Sequence, residues 1–333
     1  MTYGSYIDSF FYLNNFYNYE NIIIGDILRV RLGYACICNA INDTTSSPYT
    51  YSEYLKNGDL DKLDKVIISN LNCLSKIIDY NIKNNIHFYR MSSKIIPLAT
   101  KDDVQFDYIV RYKKIYKSIG KKINDSNMRV DFHPDQFCVI NSTKKDVLDN
   151  SFKILNYHYM LLEAIGVKDK LLVIHVGCGI LGKGNSIKRF INNFNKLPVY
   201  LKNVIAIEND DKLFNCEDVC YLSSVLNIPI VLDYHHYLCN KSELNIKKIF
   251  GSWNGKVPKL HYSSPKNSRD YRSHSEYIDS DEFICFVEKM KCYNRDIDVM
   301  IEAKGKDDAV FRLIREIKYK TNYIFVDDTT FYV

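Results

Sequence analysis

Short apolar runs alternate with longer amphipathic stretches along most of this chain. Eight runs rich in β-branched and aromatic residues are candidate strands: residues 27–34, 86–91, 128–133, 171–176, 204–209, 228–233, 257–262 and 297–302. Runs of this kind are typical of strands that are buried on both faces of a parallel sheet. A recurrence of hydrophobic residues every three or four positions predicts helices over 63–83, 146–165, 215–227, 281–291 and 307–318.

The alternation of eight strands with helices predicts an α/β fold, a closed TIM (β/α)8 barrel. An open, doubly wound sheet is the alternative, but it usually has fewer strands, and no GxGxxG motif follows the first strand. We expect a single domain over 1–333, with the barrel over 27–320. Residues 1–26 are rich in Tyr, Phe and Asn, and we expect them to form an N-terminal extension packed on the barrel.

Composition and charge narrow the class of protein. The chain has 333 residues, 46% of them hydrophobic, which is enough for one large core. It has neither an apolar run of about 20 residues nor a basic leader before an apolar segment, so we expect a cytoplasmic protein without a membrane partner. The ten cysteines include no CxxC pair, and we expect buried free thiols. A net charge of +5 is compatible with a nucleic-acid partner without requiring one.

Residues that bind metals fall repeatedly at the carboxyl ends of the predicted strands. Strands three to eight contribute seven of them, and the loop after strand seven contributes an eighth: His133, His175, Glu208, Asp233, His236, His261, Glu302 and His274. Burying one such polar side chain is costly unless something pairs it. Because the carboxyl ends of barrel strands converge on one mouth, we expect all eight side chains to meet there.

The predicted ligands indicate which metal ions the site would bind and which reaction it would promote. A mixed imidazole and carboxylate set without cysteine suits Zn²⁺ or Mn²⁺, and also accommodates Fe²⁺, and it could hold two or three ions. Such clusters promote phosphodiester hydrolysis, because they stabilise the attacking and leaving oxygens together. A metal-dependent sugar isomerase is the alternative, since enzymes of that class use similar ligands on the same barrel.

Eight segments, in order, resemble the successive motifs of the UV damage endonuclease family. They read RLGY, FYRMSSKIIPLAT, DFHPDQF, VIHVGCG, ENDD, LDYHH, KLHYSSPK and IEAKGKD, and the resemblance covers about residues 29–313. The resemblance implies a TIM barrel related to endonuclease IV and a cluster of up to three divalent ions, with Mn²⁺ favoured over Zn²⁺, Fe²⁺ or Co²⁺. It also implies a monomer that acts on double-stranded DNA carrying UV lesions.

The same resemblance implies a specific reaction. The family cleaves the phosphodiester immediately 5′ of cyclobutane pyrimidine dimers and (6-4) products, leaving a 3′-hydroxyl and a 5′-phosphate. An abasic-site endonuclease of the endonuclease IV type is the alternative, because the same metal chemistry serves both. The HPDQF motif argues against that alternative, because the family inserts residues of this motif at the lesion.

Residue roles follow from the resemblance position by position. All eight residues named above match metal ligands of the family, and Glu208 and Glu302 are the expected catalytic carboxylates. Lys259 matches a lysine that can be carboxylated in the family, and we group it with them. Lys101 stands where the family commonly has a further histidine ligand. An ammonium is a poor metal ligand, so we do not assign Lys101 to the metal site.

The resemblance also indicates how DNA would be held. Gln136 and Phe137 match residues inserted into the duplex at the lesion, and Tyr34 and Asn39 match residues that flank the opened strand. An aromatic wedge can replace the stacking lost at a photodimer. Basic residues in the loops after strands four and seven are candidate phosphate contacts: Lys183, Lys188, Arg189, Lys266, Arg269 and Arg272.

Overall fold

The computed structural model describes residues 27–333, so the expected N-terminal extension lies outside the described residues. Eight parallel strands form the barrel: β1 (Arg29–Ala35), β2 (Phe88–Met91), β3 (Arg129–Phe132), β4 (Leu172–His175), β5 (Ile205–Glu208), β6 (Ile230–Asp233), β7 (Lys259–Tyr262) and β8 (Ile297–Ile301). They pair in sequence order, and β1 pairs with both β8 and β2, which closes the sheet. The predicted TIM barrel is therefore confirmed.

Helices connect the strands, and each predicted helix is present close to its expected bounds. They are α1 (Tyr51–Asn57), α2 (Leu60–Lys83), α3 (Tyr108–Arg111), α4 (Lys113–Asp125), α5 (Lys145–Ile165), α6 (Lys183–Asn195), α7 (Val199–Lys202), α8 (Cys216–Leu226), α9 (Tyr234–Cys239), α10 (Ile246–Gly251), α11 (Ser280–Lys291) and α12 (Lys306–Lys320). Within residues 27–333, no helix is both long and apolar enough to cross a bilayer. All ten cysteines are free, as expected, but only five are buried, and Cys285 and Cys292 are exposed.

Helix α2 illustrates how the sequence produces these elements. Asp59 caps it by accepting a hydrogen bond from the backbone N–H of Lys62, which satisfies one of the free donors of the first turn. Its buried stripe repeats at helical spacing and includes Leu63, Ile67, Leu71, Leu74 and Ile78. This stripe packs into the main hydrophobic core, so burial of one face holds the helix on the barrel.

The C-terminal segment completes the barrel wall and was not predicted as strand. Strands β9 (Ile324–Phe325) and β10 (Thr330–Tyr332) pair antiparallel, and β10 also pairs antiparallel with the amino half of β1. Strand β2 meets β1 only at Tyr34 and Ala35, near the carboxyl end of β1. Strand β10 therefore covers the part of β1 that β2 leaves unpaired, and the barrel domain extends beyond residue 320.

The barrel interior contains a column of buried ion pairs. Asp298 accepts hydrogen bonds from the guanidinium of Arg31 at 2.6 and 2.8 Å and from Arg129 at 2.8 Å. Closer to the mouth, the Lys259 ammonium lies 2.5 Å from a carboxylate oxygen of Asp131. Buried charges are costly unless they are paired, so these contacts fix β1, β3, β7 and β8 relative to one another beneath the mouth.

Candidate functional site

Side chains from six strands converge at the carboxyl end of the barrel in three groups. The groups are His133, His175 and Glu208; Glu208, Asp233 and His236; and Asp233, His261 and Glu302. Within each group the ligand atoms lie within 4.8 Å of one another. Glu208 belongs to two groups and so does Asp233, so the seven residues form one continuous set, which we call the mouth cluster.

The eighth predicted ligand lies at the edge of this cluster. Nδ1 of His274 is 4.0 Å from a carboxylate oxygen of Glu302. Burial lowers the pKa of His274, as it does that of His175, so both imidazoles are neutral at neutral pH. A neutral imidazole has a free lone pair, which is the form that binds metal ions.

Glu208 is the centre of the mouth cluster. Its side chain is only 1% exposed, and its two oxygens lie 2.7 Å from Nε2 of His133 and 2.8 Å from Nδ1 of His261. Burial opposes ionisation of the carboxyl group, but the surrounding imidazoles of His261, His175 and His133 hold its pKa well below the usual range. The structure therefore keeps a negative charge at the point where two groups meet.

The geometry of His133 provides a test of whether a cation fits here. Its Nδ1 lies 3.0 Å from the carbonyl oxygen of Pro134, which can only accept, so Nδ1 carries a proton. Nε2 then faces the Glu208 carboxylate at 2.7 Å, and a proton or a shared cation must lie between these atoms. Ligand atoms bound to one ion at about 2.1 Å each are separated by about 3 Å, so a divalent ion fits the pair.

Asp233 offers a second position for a cation. One of its oxygens accepts from the backbone N–H of His236 at 2.7 Å and so caps α9, while its other oxygen is buried without a hydrogen-bond partner among the described residues. Burial raises the pKa of Asp233 to about 7. Burial also lowers the pKa of His236, but the Asp233 and Glu208 carboxylates outweigh that effect and raise it to about 9. Nδ1 of His236 lies 3.5 Å from this unpartnered Asp233 oxygen without a hydrogen bond to it, and a bound cation would supply the missing partner.

Arg90 is a component of the site that the sequence analysis missed. It lies in β2, is buried, and donates to Nε2 of His261 at 2.7 Å and to Glu302 at 2.6 Å. Because a guanidinium can only donate, Nε2 of His261 accepts and the imidazole proton is on Nδ1. Burial lowers the pKa of His261 to about 4, so this histidine is neutral. A charged residue inside the apolar run of β2 was the available signal.

The two lysines singled out from the sequence lie outside the three groups. Lys259 is fully buried beneath the cluster, and burial lowers its pKa to about 8 although Asp131 opposes this effect. Lys101 is exposed, with its ammonium 4.7 Å from the centre of the Tyr51 ring. We therefore continue to leave Lys101 out of the proposed ligand set.

Comparison with known proteins identifies the family. The family described as UV-endonuclease UvdE matches residues 30–328. This chain belongs to that family. The UV DNA damage endonuclease of Bacillus cereus strain B4264 is 37% identical over 301 residues, which cover 87% of this chain and 95% of that protein. The corresponding Bacillus anthracis protein is 36% identical over 299 residues, covering 86% and 94%.

Solved structures agree with this family and its fold. The crystal structure of SacUVDE superposes with a TM-score of 0.80 at 30% identity and covers 87% of this chain and 99% of that chain. Endonuclease IV from Thermus thermophilus has a TM-score of 0.54 at 11% identity, covering 87% and 100%, which shows a shared fold alone. As a member of the UvdE family the chain is an endonuclease, and its substrate is DNA.

The loop after β3 presents Gln136 and Phe137 to solvent beside the mouth cluster. Phe137 is 65% exposed, and its backbone N–H donates to the Asp135 carboxylate at 2.9 Å. The loop follows His133 directly, so both residues lie within four positions of a candidate metal ligand. Their exposure leaves them available for the DNA contact expected of a UvdE protein.

Tyr34 does not occupy the position expected for a DNA contact. Its side chain is completely buried, and its hydroxyl donates to the side-chain oxygen of Asn81 on α2 at 2.7 Å. The ring faces the helical layer, so it cannot reach a DNA strand at the mouth, and we remove it from the set of DNA contacts. Asn39 is exposed, and its side-chain amide donates to the carboxylate of Asp308 at 3.1 Å.

The basic residues of the loop after β4 and the start of α6 differ in how far they are available to phosphate. Lys183 pairs with Asp218 at 2.6 Å. Arg189 on α6 donates to the backbone carbonyl oxygens of Ile180, in the loop after β4, and of Asn141, in the loop after β3. It therefore links these two loops. Lys188 is exposed and forms no ion pair within residues 27–333, which leaves it available to phosphate.

The basic residues of the loop after β7 also differ in whether they form ion pairs. Lys266 pairs with Asp270 at 3.4 Å, and Arg272 pairs with Asp211 at 3.3 Å. Arg269 is exposed and has no ion-pair partner in the described part of the chain. Lys188 and Arg269 are therefore the two exposed candidate phosphate contacts without an ion-pair partner among the described residues, while Arg189 also lacks one but is occupied by backbone carbonyl oxygens.

Proposed function

We propose that this chain is a metal-dependent endonuclease that nicks double-stranded DNA immediately 5′ of UV photoproducts. The lesions would be cyclobutane pyrimidine dimers and (6-4) products, and the ends a 3′-hydroxyl and a 5′-phosphate. The observation that carries the proposal is the mouth cluster, in which Glu208 and Asp233 are each shared between two groups. The names of the Bacillus relatives and of SacUVDE support the lesion class.

The mouth cluster and His274 would hold up to three divalent ions, and we favour Mn²⁺ from the mixed nitrogen and oxygen donors. When bound, such ions lower the pKa of the attacking water and neutralise charge on the phosphate. Glu208 and Glu302 would supply the negative charge that retains them. For Glu302, burial opposes ionisation, but the guanidinium of Arg90 holds the pKa of the carboxyl group far below its usual range.

Lys259 lies beneath the mouth cluster, and we propose a supporting role for it. Its pKa of about 8 brings the amine closer to the neutral form, which carboxylation requires. The Asp131 carboxylate competes for the same amine at 2.5 Å. We propose that Lys259 tunes the charge beneath His261, whether as an ammonium or as a carbamate.

Lesion recognition would use the exposed pair Gln136 and Phe137. A photodimer weakens its own base pairs, which lowers the cost of extruding it from the stack. The exposed ring of Phe137 can then occupy the space that is vacated. All of these side chains belong to one barrel, so we propose that a single chain is sufficient.

The test is a nicking assay on three end-labelled duplexes of identical sequence, carrying a thymine photodimer, an abasic site or no damage. The protein is stripped with a chelator and assayed with and without added Mn²⁺, and the cut is mapped against size markers. We expect Mn²⁺-dependent cleavage 5′ of the photodimer, with an end that a DNA polymerase extends. Preferential cleavage of the abasic duplex would favour the endonuclease IV type of activity, and undiminished cleavage without metal would refute metal dependence.

A further inference from the structure

The loop between β4 and α6 carries two adjacent apolar side chains in solvent. This loop, residues 176–182, is called here the β4 loop, and it follows His175 of the mouth cluster directly. Ile180 is 53% exposed and Leu181 is 71% exposed. Scattered single hydrophobic residues are normal on protein surfaces, but two neighbours at the tip of one loop beside the site call for a physical explanation.

The β4 loop is held rigidly from both sides. The side chain of Asn141 donates to the carbonyl of Cys178 at 2.8 Å and accepts from the N–H of Cys178 at 2.9 Å. The guanidinium of Arg189 donates to the carbonyl of Ile180 at 2.5 Å, and the hydroxyl of Ser186 donates to the same oxygen at 3.2 Å. The exposed side chains therefore stand on a braced backbone, where contact with a partner costs little additional ordering.

Leu181 is also in an unfavourable backbone conformation. Its φ is +67°, in the left-handed region, which a residue with a Cβ rarely adopts. The next residue, Gly182, also has a positive φ of 88°, which glycine adopts freely. Since the Leu181 side chain is exposed, burial within the described residues does not offset this strain. Strain of this kind clusters at binding sites.

The surroundings of the β4 loop identify the chemistry of the partner. A Cβ at Gly177 would lie 2.9 Å from the side chain of Val139, so the β4 loop packs against the β3 loop that bears Phe137. Three exposed apolar side chains thus lie on neighbouring loops at the mouth, and the unpaired cation Lys188 follows on α6. Apolar tips flanked by positive charge match the stacked bases and phosphates of a DNA duplex.

We infer that Ile180 and Leu181 form a second apolar wedge, which packs into the DNA duplex beside the lesion and maintains the distortion that Phe137 begins. This inference rests on the proposed function, because it requires that lesion-bearing DNA lies across the mouth. In this role the β4 loop helps to unstack the duplex and contributes neither a metal ligand nor a reacting group.

Leu181→Asn is the decisive variant, because asparagine tolerates a left-handed backbone and so keeps the loop conformation while removing the apolar tip. Binding to a photodimer duplex should weaken roughly ten- to a hundredfold, the range expected when one buried leucine side chain is lost from a contact. A 2-aminopurine placed beside the lesion should also brighten less in the complex, because the neighbouring bases stay stacked. Leu181→Met, which keeps an apolar tip of similar size, should bind and unstack the duplex like the parent.

Val199→Asn is the matched control. Val199 is 69% exposed, and it begins α7, which leads into the amino end of β5 at the opposite end of the barrel. This variant should bind like the parent, and thermal unfolding should show that both variants are folded. Suppose that the parent nicks the photodimer duplex and that Leu181→Asn binds and unstacks it equally well. The wedge is then refuted, while the proposed function stands. Equal losses in both Asn variants would also refute the wedge, and a parent without photodimer nicking would refute the proposed function itself.

Discussion

Replacing Glu208 by Gln should remove most of the stability that the barrel gains from metal ions, together with its nicking activity. The amide has the size of the carboxylate but no negative charge, so the change alters charge with little change in packing. Glu208 belongs to two of the three ligand groups, whereas Glu302 belongs to one. Glu208→Gln should therefore cost about twice as much metal-linked stability as Glu302→Gln.

The magnitude follows from linkage between binding and folding. An ion present at a hundred times its dissociation constant stabilises the folded state by about 2.7 kcal/mol. Loss of two sites removes about 5 kcal/mol and loss of one removes about 3 kcal/mol, on the same basis. At roughly 2 °C per kcal/mol for a large domain, the rise in Tm on adding metal should shrink by about 10 °C in Glu208→Gln and about 5 °C in Glu302→Gln.

The assay compares thermal unfolding of chelator-treated parent and variants with and without added Mn²⁺, alongside metal analysis and nicking. Glu163→Gln is the control. Glu163 is an exposed glutamate on α5 that pairs with Lys170 at 3.0 Å, and it belongs to none of the three ligand groups. Its metal-dependent rise in Tm should equal that of the parent. A full rise in Tm for Glu208→Gln, or a greater loss in Glu302→Gln than in Glu208→Gln, would contradict a shared role of Glu208 in two ion sites.

Three further predictions concern residues around the cluster. Changing Gln136 and Phe137 together to Ala should weaken binding to photodimer DNA by about one to two decades and leave undamaged-duplex binding and metal content unchanged, as titrations at one salt concentration would show. Lys101→Met should leave metal content at the parent level, because its ammonium packs on a tyrosine ring. Tyr34→Phe should lower the free energy of unfolding by about 1 kcal/mol through the lost bond to Asn81, without changing lesion binding; an effect on lesion binding alone would restore Tyr34 as a DNA contact.

The sequence was sufficient to predict the barrel and the convergence of the candidate ligands at its mouth, because both depend on local pattern. A strand buried on two faces is a continuous apolar run, and a polar residue that ends such a run stands out. Asp233 at the end of IPIVLD and Glu208 at the end of VIAIE are examples. Once the barrel is predicted, its topology alone brings these ends together.

Features that depend on long-range pairing were not predictable in the same way. Strand β10 pairs with β1 across nearly the whole chain, and its three residues have no distinctive period. The position of Tyr34 was mistaken for a different reason, because a motif match carries no information about which face of a strand a residue occupies. Alternation along β1 supplied that information: Leu32 and Tyr34 share the face packed against helices, while Arg31 points inward to Asp298.

The same alternation relates the ion-paired column to the mouth cluster. In β3, Asp131 precedes His133 by two residues, and in β7, Lys259 precedes His261 by two. Residues two apart share a strand face, so each of these strands carries one paired charge and, one layer higher, one candidate ligand. Beneath the mouth each of these carboxylates is paired with a cation of the protein, whereas the cluster gathers three carboxylates with four imidazoles and a single guanidinium. The carboxyl end of the barrel thus holds more carboxylates than guanidinium or ammonium groups, and divalent cations that enter from solvent can balance them there.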